Sequence, residues 1–499
     1  TMVFSSHVFL LYFLPLTLVL YYALPRRARH LGLALVSYVF YGWANPLFVV
    51  LLFGSTVIDY GCGLALAGRG PVWLARLARR ERTAARWAQP IEAVDPGDPS
   101  GARRRRAAVV VSVATNLTLL GFFKYFNFGV DTVNGVGAWL GVPWLHLDVA
   151  LRVTLPLGIS FYTFQSMSYT IDVARGHATA LRGFIDFACY VSMFPQLVAG
   201  PIIRFAEVAG QLAARSHTFA KCARGAAFIS LGLAKKVLLA NPCGRIADLA
   251  FDAGSIGALD AWFGATAYAF QIYFDFSGYS DMAIGLGLLL GFVFPKNFDS
   301  PYRAESITDF WRRWHISLSS WLRDYLYVPL GGSRRGPRRT YVNLAAVMLL
   351  GGLWHGSAWT FVVWGAMHGA LLAAERARGG SPYAALPVPL RRALTFGLVL
   401  VSWVFFRAAD LPAALAYLRS MFGLEPYDDA ARVLGLVLYE PYSVASFGCA
   451  AVVIWAAPQT WDWTRRLTPL RAAVALLLFA AAWSVLATQA FNPFIYFIF

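Results

Sequence analysis

Two histidines lie in apolar stretches of the chain, where a polar imidazole needs a reason. His355 stands in the uncharged, glycine-rich run of residues 350–356, and His315 stands in the aromatic run of residues 314–317. Imidazole is the side chain whose pKa lies nearest neutrality, so it can take a proton from a hydroxyl group and return it. The sequence therefore indicates a general base at His355. A histidine that is only hydrogen-bonded between helices is the alternative interpretation.

His315 is the candidate for an assisting role. It shares an apolar face with Trp311 and Leu318, and these spacings of three and four predict an amphipathic interfacial helix over residues 311–327. On such a helix His315 points into the protein and approaches His355. There it would orient a substrate or support charge in the transition state. An anchoring role at the membrane interface is the alternative.

Two carboxylates, Asp275 and Asp281, lie inside the long apolar stretch of residues 263–294. Acids are costly at membrane depth, and they usually face a water-filled cavity or a basic partner, for which Arg303 is a candidate. Function is therefore the default hypothesis for this segment. A purely structural ion pair is the alternative.

The sequence indicates no other familiar site. It contains no P-loop, HExxH, GxSxG or SxxK motif. The five cysteines form no CxxC pair and have no histidine at zinc spacing, so neither a disulfide nor a metal site is predicted. Gly285, Gly287 and Gly291 imitate a dinucleotide fingerprint, but no strand is predicted before them and helix packing explains them. His368 is interpreted as structural.

The composition argues against a soluble protein. Of 499 residues, 58% are hydrophobic and 14% are charged, whereas soluble domains carry roughly 45–50% apolar and about 25% charged residues. A bilayer-spanning helix needs about 20 apolar residues, so a chain of this length has room for about ten to twelve transmembrane helices. The predicted fold is an all-α polytopic membrane protein. The net charge is +17, and the basic residues lie in short runs between apolar segments. This pattern is typical of loops between membrane spans and predicts no nucleic-acid partner.

The basic runs set the expected orientation. The apolar stretch of residues 7–24 has no Lys or Arg before it and a basic run after it, so a retained helix with its N-terminus outside the cytoplasm is predicted. A break at Asn45 divides the next apolar run into two short spans. Residues 69–106 then form an Arg-rich cytoplasmic loop, because so many positive charges disfavour the outer side. A span at 107–126 and an outside loop at 127–149 follow.

The later part of the chain contains a broken segment and further spans. Residues 184–203 are apolar but carry breaks at Pro195 and Pro201. Lipid cannot satisfy the backbone groups that such breaks free, so a broken or re-entrant segment covered by protein is predicted. Apolar spans are predicted near residues 342–373, 391–407, 443–458 and 471–490.

Five longer motifs carry a family resemblance. They are FPQLVAGPI at 194–202, YFDFSGYSDMA at 273–283, NFDSPY at 297–302, FWRRWHISLS at 310–319 and GGLWHG at 351–356. Together they resemble the membrane-bound O-acyltransferases, in particular the bacterial branch that acts in alginate O-acetylation. The resemblance runs from Phe4 to residues 494–497 and thins at 70–106 and at about 409–470.

The resemblance implies a single integral-membrane domain over residues 1–499, with a catalytic core at 150–375 and helices around a tunnel that crosses the membrane. His355 matches the essential histidine of the family, and His315 matches the second active-site histidine. The implied tunnel residues are Gln196, Asp275, Ser277, Tyr279, Asp281, Asn297, Trp314 and Trp354.

The implied reaction is acyl transfer in a bacterial inner membrane. A cytoplasmic thioester, acetyl-CoA or another, gives its acyl group to a hydroxyl acceptor on the outer side, and no cofactor is bound. A periplasmic acetyltransferase partner finishes the modification of a polysaccharide, and alginate, cellulose, another exopolysaccharide and peptidoglycan all stay open. D-alanyl or other acyl transfer from a carrier protein is the alternative within this class. The basic cytoplasmic surface would attract the phosphates of the donor.

Three different classes of protein remain as rivals. A transporter or flippase would use Asp275 and Asp281 as proton relays, but transporters often show internal repeats, and none is evident. A polytopic glycosyltransferase would need an acid or base on an outside loop, and residues 127–149 offer only Asp131 and Asp148 outside any motif. A non-enzymatic scaffold is the third.

Overall fold

Helices form all the regular secondary structure that a computed structural model describes for this chain. The description covers residues 2–67, 99–149, 152–426, 429–489 and 491–495, and these ranges contain no strand. The predicted all-α fold is confirmed. Most of the Arg-rich loop predicted at 69–106 lies outside the described residues, and its last part begins a helix at Pro99.

The chain divides into two compact units, of which the first comprises Thr1–Cys222 and Gly287–Phe294. The helices before residue 214 are α1 (Leu14–Ala23), α2 (Arg29–Gly42), α3 (Pro46–Leu66), α4 (Pro99–Leu140), α5 (Ile159–Ala174), α6 (Phe184–Ser192), α7 (Phe194–Leu197) and α8 (Phe205–Ala213).

The predicted break at Asn45 is confirmed. The Asn45 side chain accepts a hydrogen bond from the Leu47 amide at 3.0 Å, and Pro46 occupies the first turn of α3. Asparagine as N-cap and proline at the first helical position are both typical helix starts, because they satisfy or remove an amide that has no partner. Helices α2 and α3 therefore owe their separation to local sequence.

The predictions for residues 107–149 are wrong in their boundaries. Helix α4 covers Pro99–Leu140, 42 residues, so it includes the predicted span and most of the predicted loop. At about 1.5 Å per residue this helix is roughly twice as long as the hydrocarbon core of a bilayer. Polar residues after 126 lower the hydropathy, but no proline follows until Pro143, so nothing ends the helix. Asn127 and Asn134 bind the backbone of Val153 and Leu147, which fastens the returning chain to α4.

The broken segment predicted at 184–203 is confirmed as broken and buried. Helix α6 ends at Ser192, Met193 adopts a non-helical conformation, and α7 contains only four residues. Residues 188–203 are buried or nearly so. Protein therefore covers the irregular backbone, as its unsatisfied polar groups require.

The second unit comprises Ala223–Leu286 and Pro295–Phe499. The helices from residue 219 onward are α9 (Phe219–Ala234), α10 (Asn241–Phe251), α11 (Ala258–Leu289), α12 (Ile307–Arg313), α13 (Ile316–Leu322), α14 (Gly336–His355), α15 (Trp359–Ala377), α16 (Val388–Arg407), α17 (Leu411–Met421), α18 (Asp429–Leu438), α19 (Pro441–Trp455), α20 (Thr460–Trp463) and α21 (Pro469–Thr488). Short π or 3₁₀ turns occur at Val8–Phe13, Pro143–Leu145, Lys235–Ala240, Pro301–Arg303 and Arg323–Tyr327.

Within the described residues, four helices are long and apolar enough to cross a bilayer. They are α3, residues 101–140 of α4, α16 and α21, and the shorter apolar helices at Val8–Ala23 and Pro441–Trp455 add to them. These helices agree with a polytopic membrane protein. The number of crossings, the side of the N-terminus and the domain boundaries remain predictions.

Glycines allow α9 and α11 to approach closely within the second unit. A Cβ atom built on Gly278 would lie 2.7 Å from the carbonyl oxygen of Gly232 and 3.4 Å from the amide nitrogen of Lys236. Real side chains do not tolerate the first distance, so glycine is required at this crossing. The crossing brings the π turn at Lys235–Ala240 against the acidic stretch of α11, which matters for the site.

Candidate active site

His315 lies at a break between two short helices, and the interfacial helix predicted over 311–327 is wrong as one continuous element. Helix α12 ends at Arg313, Trp314 is extended, and His315 precedes α13 with φ 44° and ψ 55°. Only a few per cent of residues other than glycine adopt such left-handed conformations, and they do so at a cost. The break turns the His315 side chain away from the regular path of a helix.

Hydrogen bonds with Asn297 stabilise this break between the two helices. Its backbone carbonyl accepts from the Ile316 amide at 2.9 Å, and its side-chain Oδ1 accepts from the Ser317 hydroxyl at 2.8 Å. Its Nδ2 donates to Ser280 Oγ on α11 at 2.8 Å. Asn297 was predicted to line a tunnel. In the structure it also fixes the start of α13 and therefore the backbone of His315.

The His315 ring is fully buried among aromatic rings. Its centroid lies 4.6 Å from Phe276, 6.4 Å from Phe298 and 6.0 Å from Trp354. Neither ring nitrogen has a hydrogen-bond partner in another described residue. A buried polar group without a partner costs about 1–3 kcal/mol, so such a group in a native protein calls for an explanation.

His355 is the last residue of α14, and glycines bring α15 against this end of the helix. A Cβ on Gly352 would overlap the carbonyl oxygen of Phe361, and a Cβ on Gly356 would overlap the Phe361 ring. The small residues here therefore permit close approach of another backbone. The resulting helical hairpin fixes where the His355 side chain leaves α14.

The His355 side chain lines a small apolar pocket and is 9% exposed. The other lining residues are Ile272, Phe276, Trp314, Trp403, Phe406 and Ile495. The pocket has room for about one water-sized group. Only a small, weakly polar part of a ligand would fit beside His355 in this pocket.

Trp354 and Phe276 connect the two histidines. The Trp354 ring lies 6.0 Å from that of His315 and 5.0 Å from that of His355. Phe276 contacts the ring of His315 and also lines the pocket of His355. The expected approach of the two histidines is therefore supported through shared aromatic neighbours.

Asp275 and Asp281 pair with neighbouring lysines of one π turn. Lys236 lies 2.9 Å from Asp275, and Lys235 lies 2.7 Å from Asp281. Arg303, the partner suggested by the sequence, instead donates to the backbone carbonyls of Ile454 and Ala457, so that suggestion is wrong. The lysines are nearly forty or more residues away in sequence, and only the close helix crossing brings them to the acids.

A polar cleft lies on the side of Asp281. Its polar lining residues are Lys235, Ser277, Ser280, Asp281, Lys296, Asn297 and Gln459, and Phe298 is among its apolar ones. Ser277 is buried, and its hydroxyl has no hydrogen-bond partner among the described residues. The predicted residues Ser277, Asp281 and Asn297 therefore meet at one surface.

The remaining predicted residues have separate surroundings. Trp314 lines the apolar pocket, and Tyr279 stacks against Phe494 at 4.5 Å. Gln196 belongs to the first unit, is fully buried and donates to the carbonyl of Tyr190. His368 accepts from Trp311 Nε1 at 3.3 Å and bonds to Ser402 Oγ at 3.1 Å, as its structural interpretation predicts.

Sequence reasoning missed several residues of these surfaces. Lys235 and Lys236 interrupt an apolar run, a signal that could have marked them as partners for intramembrane acids. Ile495 and Gln459 gave no such signal, because an isoleucine or glutamine near apolar segments is ordinary. Their role in the site follows only from the fold.

A model of the membrane-bound O-acyltransferase family matches residues 162–381, a range that includes both histidines. With the full-length relatives below, this match shows that the chain belongs to the membrane-bound O-acyltransferase family, and it is an O-acyltransferase enzyme. It is 42% identical to a protein described as a probable alginate O-acetylase from Pseudomonas putida, over 99% of this chain and 100% of the relative.

Two further relatives broaden the comparison. A protein of the same description from Pseudomonas aeruginosa is 46% identical over 84% of this chain and 75% of the relative. A peptidoglycan O-acetyltransferase from Helicobacter pylori is 35% identical over 85% of this chain and 80% of the relative. The relatives thus share O-acetylation and differ in the acceptor that their descriptions name.

Proposed function

We propose that this enzyme moves an acetyl group from cytoplasmic acetyl-CoA across the membrane for O-acetylation of a polysaccharide outside the cytoplasm, with His355 as the general base. The acceptor oxygen attacks the thioester carbonyl, and His355 takes the hydroxyl proton. The carbon–sulfur bond then breaks, and the proton passes to the departing thiolate, which leaves as coenzyme A. The descriptions of the relatives support acetyl as the group and alginate or peptidoglycan as acceptors.

The observation that carries the proposal is the fully buried, unpartnered imidazole of His315. Two buried ring nitrogens without partners can form hydrogen bonds to a bound substrate. A neutral imidazole offers one N–H donor and one acceptor nitrogen. His315 would donate to the carbonyl oxygen of the thioester, where negative charge develops in the transition state.

The pocket of His355 supports its role as the base. Its lining is apolar apart from the histidine, and it has room for a group about as small as water. Such a space suits the methyl end of an acetyl group, and the imidazole would take the proton of a hydroxyl that attacks the adjoining carbonyl. Exclusion of water also protects the thioester from hydrolysis.

The polar cleft supports a path for the polar parts of the substrates. Ser277 and Asn297 offer hydroxyl and amide groups there, beside the charged side chains of Lys235, Asp281 and Lys296. Asp275 and Asp281 would shape this path without reacting. In the bacterial inner membrane, with the N-terminus outside, a periplasmic acetyltransferase partner would receive the acetyl group and complete the modification.

The test is thiol release from radiolabelled acetyl-CoA by the purified protein in lipid nanodiscs. We expect His355→Ala to lower the rate by about 10²- to 10⁴-fold, the usual contribution of a general base. His315→Asn should lower it by about 10²- to 10³-fold, as for removal of one oxyanion donor.

His368→Asn is the matched control. It also alters a buried histidine in an aromatic cluster, but one whose ring nitrogens already have partners. We expect this variant to lose thermal stability and to keep its rate per folded molecule. Full activity in both His355→Ala and His315→Asn would refute the two-histidine mechanism, and no thioester cleavage by the unaltered protein would refute acetyl-CoA as donor.

A further inference from the structure

The segment of residues 491–495 is fastened to the second unit by a buried ion pair. The Ile495 amide donates to Asp275 Oδ2 at 2.8 Å, and Lys236 Nζ donates to the carbonyl of Pro493. The Lys236 and Asp275 side chains are 3% and 1% exposed and lie 2.9 Å apart. Each charge of this pair therefore holds one backbone group of the segment.

Two further contacts fix the same segment. Asn241 Nδ2 donates to the carbonyl of Phe491 at 3.2 Å, and the Phe494 ring packs on Tyr279 at 4.5 Å. Backbone hydrogen bonds to charged groups are among the stronger ones in proteins. The segment is thus anchored at Phe491, Pro493, Phe494 and Ile495.

This anchoring puts the Ile495 side chain into the pocket of His355. Ile495 is 2% exposed and lines the pocket together with Phe276, Trp403 and Phe406. The aromatic members are large and packed against each other, with Trp403 and Phe406 at 5.1 Å. Ile495 comes from a separate segment and is smaller, so its truncation would open space with the least disturbance to the aromatic cluster.

We propose that Ile495 determines the length of the acyl group by closing the pocket beside His355, so that an acetyl group fits and longer chains do not. This inference rests on the proposed function, because it assigns the pocket to the acyl chain of the donor. A packed interior resists each added methylene, since neighbouring side chains must leave their preferred rotamers. Ile495→Ala removes three carbon atoms, enough to admit a propionyl or butyryl chain.

The experiment has a turnover arm and a binding arm, both with the full chain in nanodiscs. Turnover is measured as thiol release from acetyl-, propionyl-, butyryl- and hexanoyl-CoA. Binding is measured with non-hydrolysable thioether analogues of the same chain lengths. The proteins are the unaltered chain, Ile495→Val, Ile495→Ala and Ile246→Ala. Ile246 is an equally buried isoleucine of α10 that does not line the pocket, so it controls for the loss of volume alone.

We expect Ile495→Ala to raise the butyryl-to-acetyl preference at least tenfold in both arms, because one methylene in a pocket changes discrimination by about 10- to 200-fold. Ile495→Val should lie between, and Ile246→Ala should match the unaltered chain. An unchanged chain-length profile in Ile495→Ala, with acetyl-CoA turned over normally, would overturn the inference.

The binding arm separates this inference from the proposed reaction. If the unaltered protein cleaves no thioester but Ile495→Ala shifts the binding profile to longer chains, the inference stands and the proposed reaction fails. If the analogues bind without regard to chain length in every variant, the pocket does not hold the acyl chain and the inference is overturned.

Discussion

The apolar pocket and the polar cleft of the second unit differ in chemistry, but each depends on a lysine–aspartate pair between the same two elements. Lys236 and Asp275 hold the segment that lines the pocket, and Lys235 and Asp281 line the cleft. His315 contacts Phe276 of the pocket and Phe298 of the cleft. One π turn and two different faces of α11 thus contribute to an apolar lining and a polar one, and the unpartnered imidazole of His315 contacts a lining residue of each.

We infer that the pocket and the cleft hold different parts of the substrates. A dry pocket suits a small acyl group and a neutral base, whereas a polar cleft suits charged or hydroxylated parts of substrates. The two lysines differ in surroundings accordingly, since the Lys236 side chain is 3% exposed and that of Lys235 is 13% exposed. Substitutions in the pocket and in the cleft test whether this difference has energetic consequences.

The largest effect is expected for Lys236→Met. It leaves Asp275 as a buried charge without its partner, which costs about 3–5 kcal/mol of stability in comparable cases. Lys235→Met should cost less, because polar groups of the cleft remain around Asp281. The measurement is the free energy of unfolding in mixed detergent micelles. Equal losses in the two variants would remove the distinction between pocket and cleft.

A restoring control accompanies this prediction. Lys236→Met combined with Asp275→Leu removes both buried charges, and apolar replacements of buried ion pairs are often neutral or stabilising. We expect the double variant to regain stability but not the anchoring of residues 493–495. If the double variant is no more stable than Lys236→Met, the hydrogen bonds to Pro493 and Ile495 contribute more to stability than the charges do.

An intermediate effect is expected for Gly352→Ala, on the pocket side. The added methyl group meets the carbonyl oxygen of Phe361, which cannot move without shifting α15, and such overpacking costs about 1–3 kcal/mol. Gly351→Ala is the matched control, because its nearest neighbour is Leu322 Cδ1 at 3.5 Å. Thermal unfolding of the two variants in nanodiscs should give opposite signs, since alanine favours helix interiors over glycine.

The smallest effect is expected for Lys296→Ala, on the cleft side. Its ion pairs with Asp299 and Asp462 join groups that are 23%, 47% and 43% exposed. Exposed pairs contribute about 0.2–1 kcal/mol and weaken with salt. We therefore expect a minor loss of stability, measured by unfolding at two salt concentrations. A loss as large as that of Lys236→Met would show that the cleft is as tightly structured as the pocket.

Much of the fold and part of the site follow from local signals in the sequence. The break at Asn45 and the broken segment around Pro195 carry helix-start and helix-breaking residues, so they were predictable. His355 could be named as a candidate because an isolated imidazole among glycines and apolar residues is conspicuous, and its role remains a prediction. The length of α4 was not, because a helix can extend beyond the apolar span that hydropathy detects.

Other parts of the site depend on long-range packing. The lysine partners of Asp275 and Asp281 come from a π turn that is distant in sequence, so only the fold shows that these lysines, and not Arg303, pair with the acids. The left-handed backbone of His315 was unpredictable, because non-glycine residues rarely adopt it and the apolar periodicity continues across the break. Ile495 reaches His355 only through backbone hydrogen bonds, which leave no trace in residue type.

The positive φ of His315 also limits which residues can replace it, whatever the reaction requires. Asparagine and aspartate, like histidine itself, enter the left-handed region several times more often than most other non-glycine residues, whereas β-branched residues are genuine outliers there. In a saturation library at position 315, folded protein should therefore be recovered with Asn, Asp and Gly and depleted with Val, Ile and Thr. Tolerance at this position is set first by the backbone, and only the tolerated residues report on the imidazole.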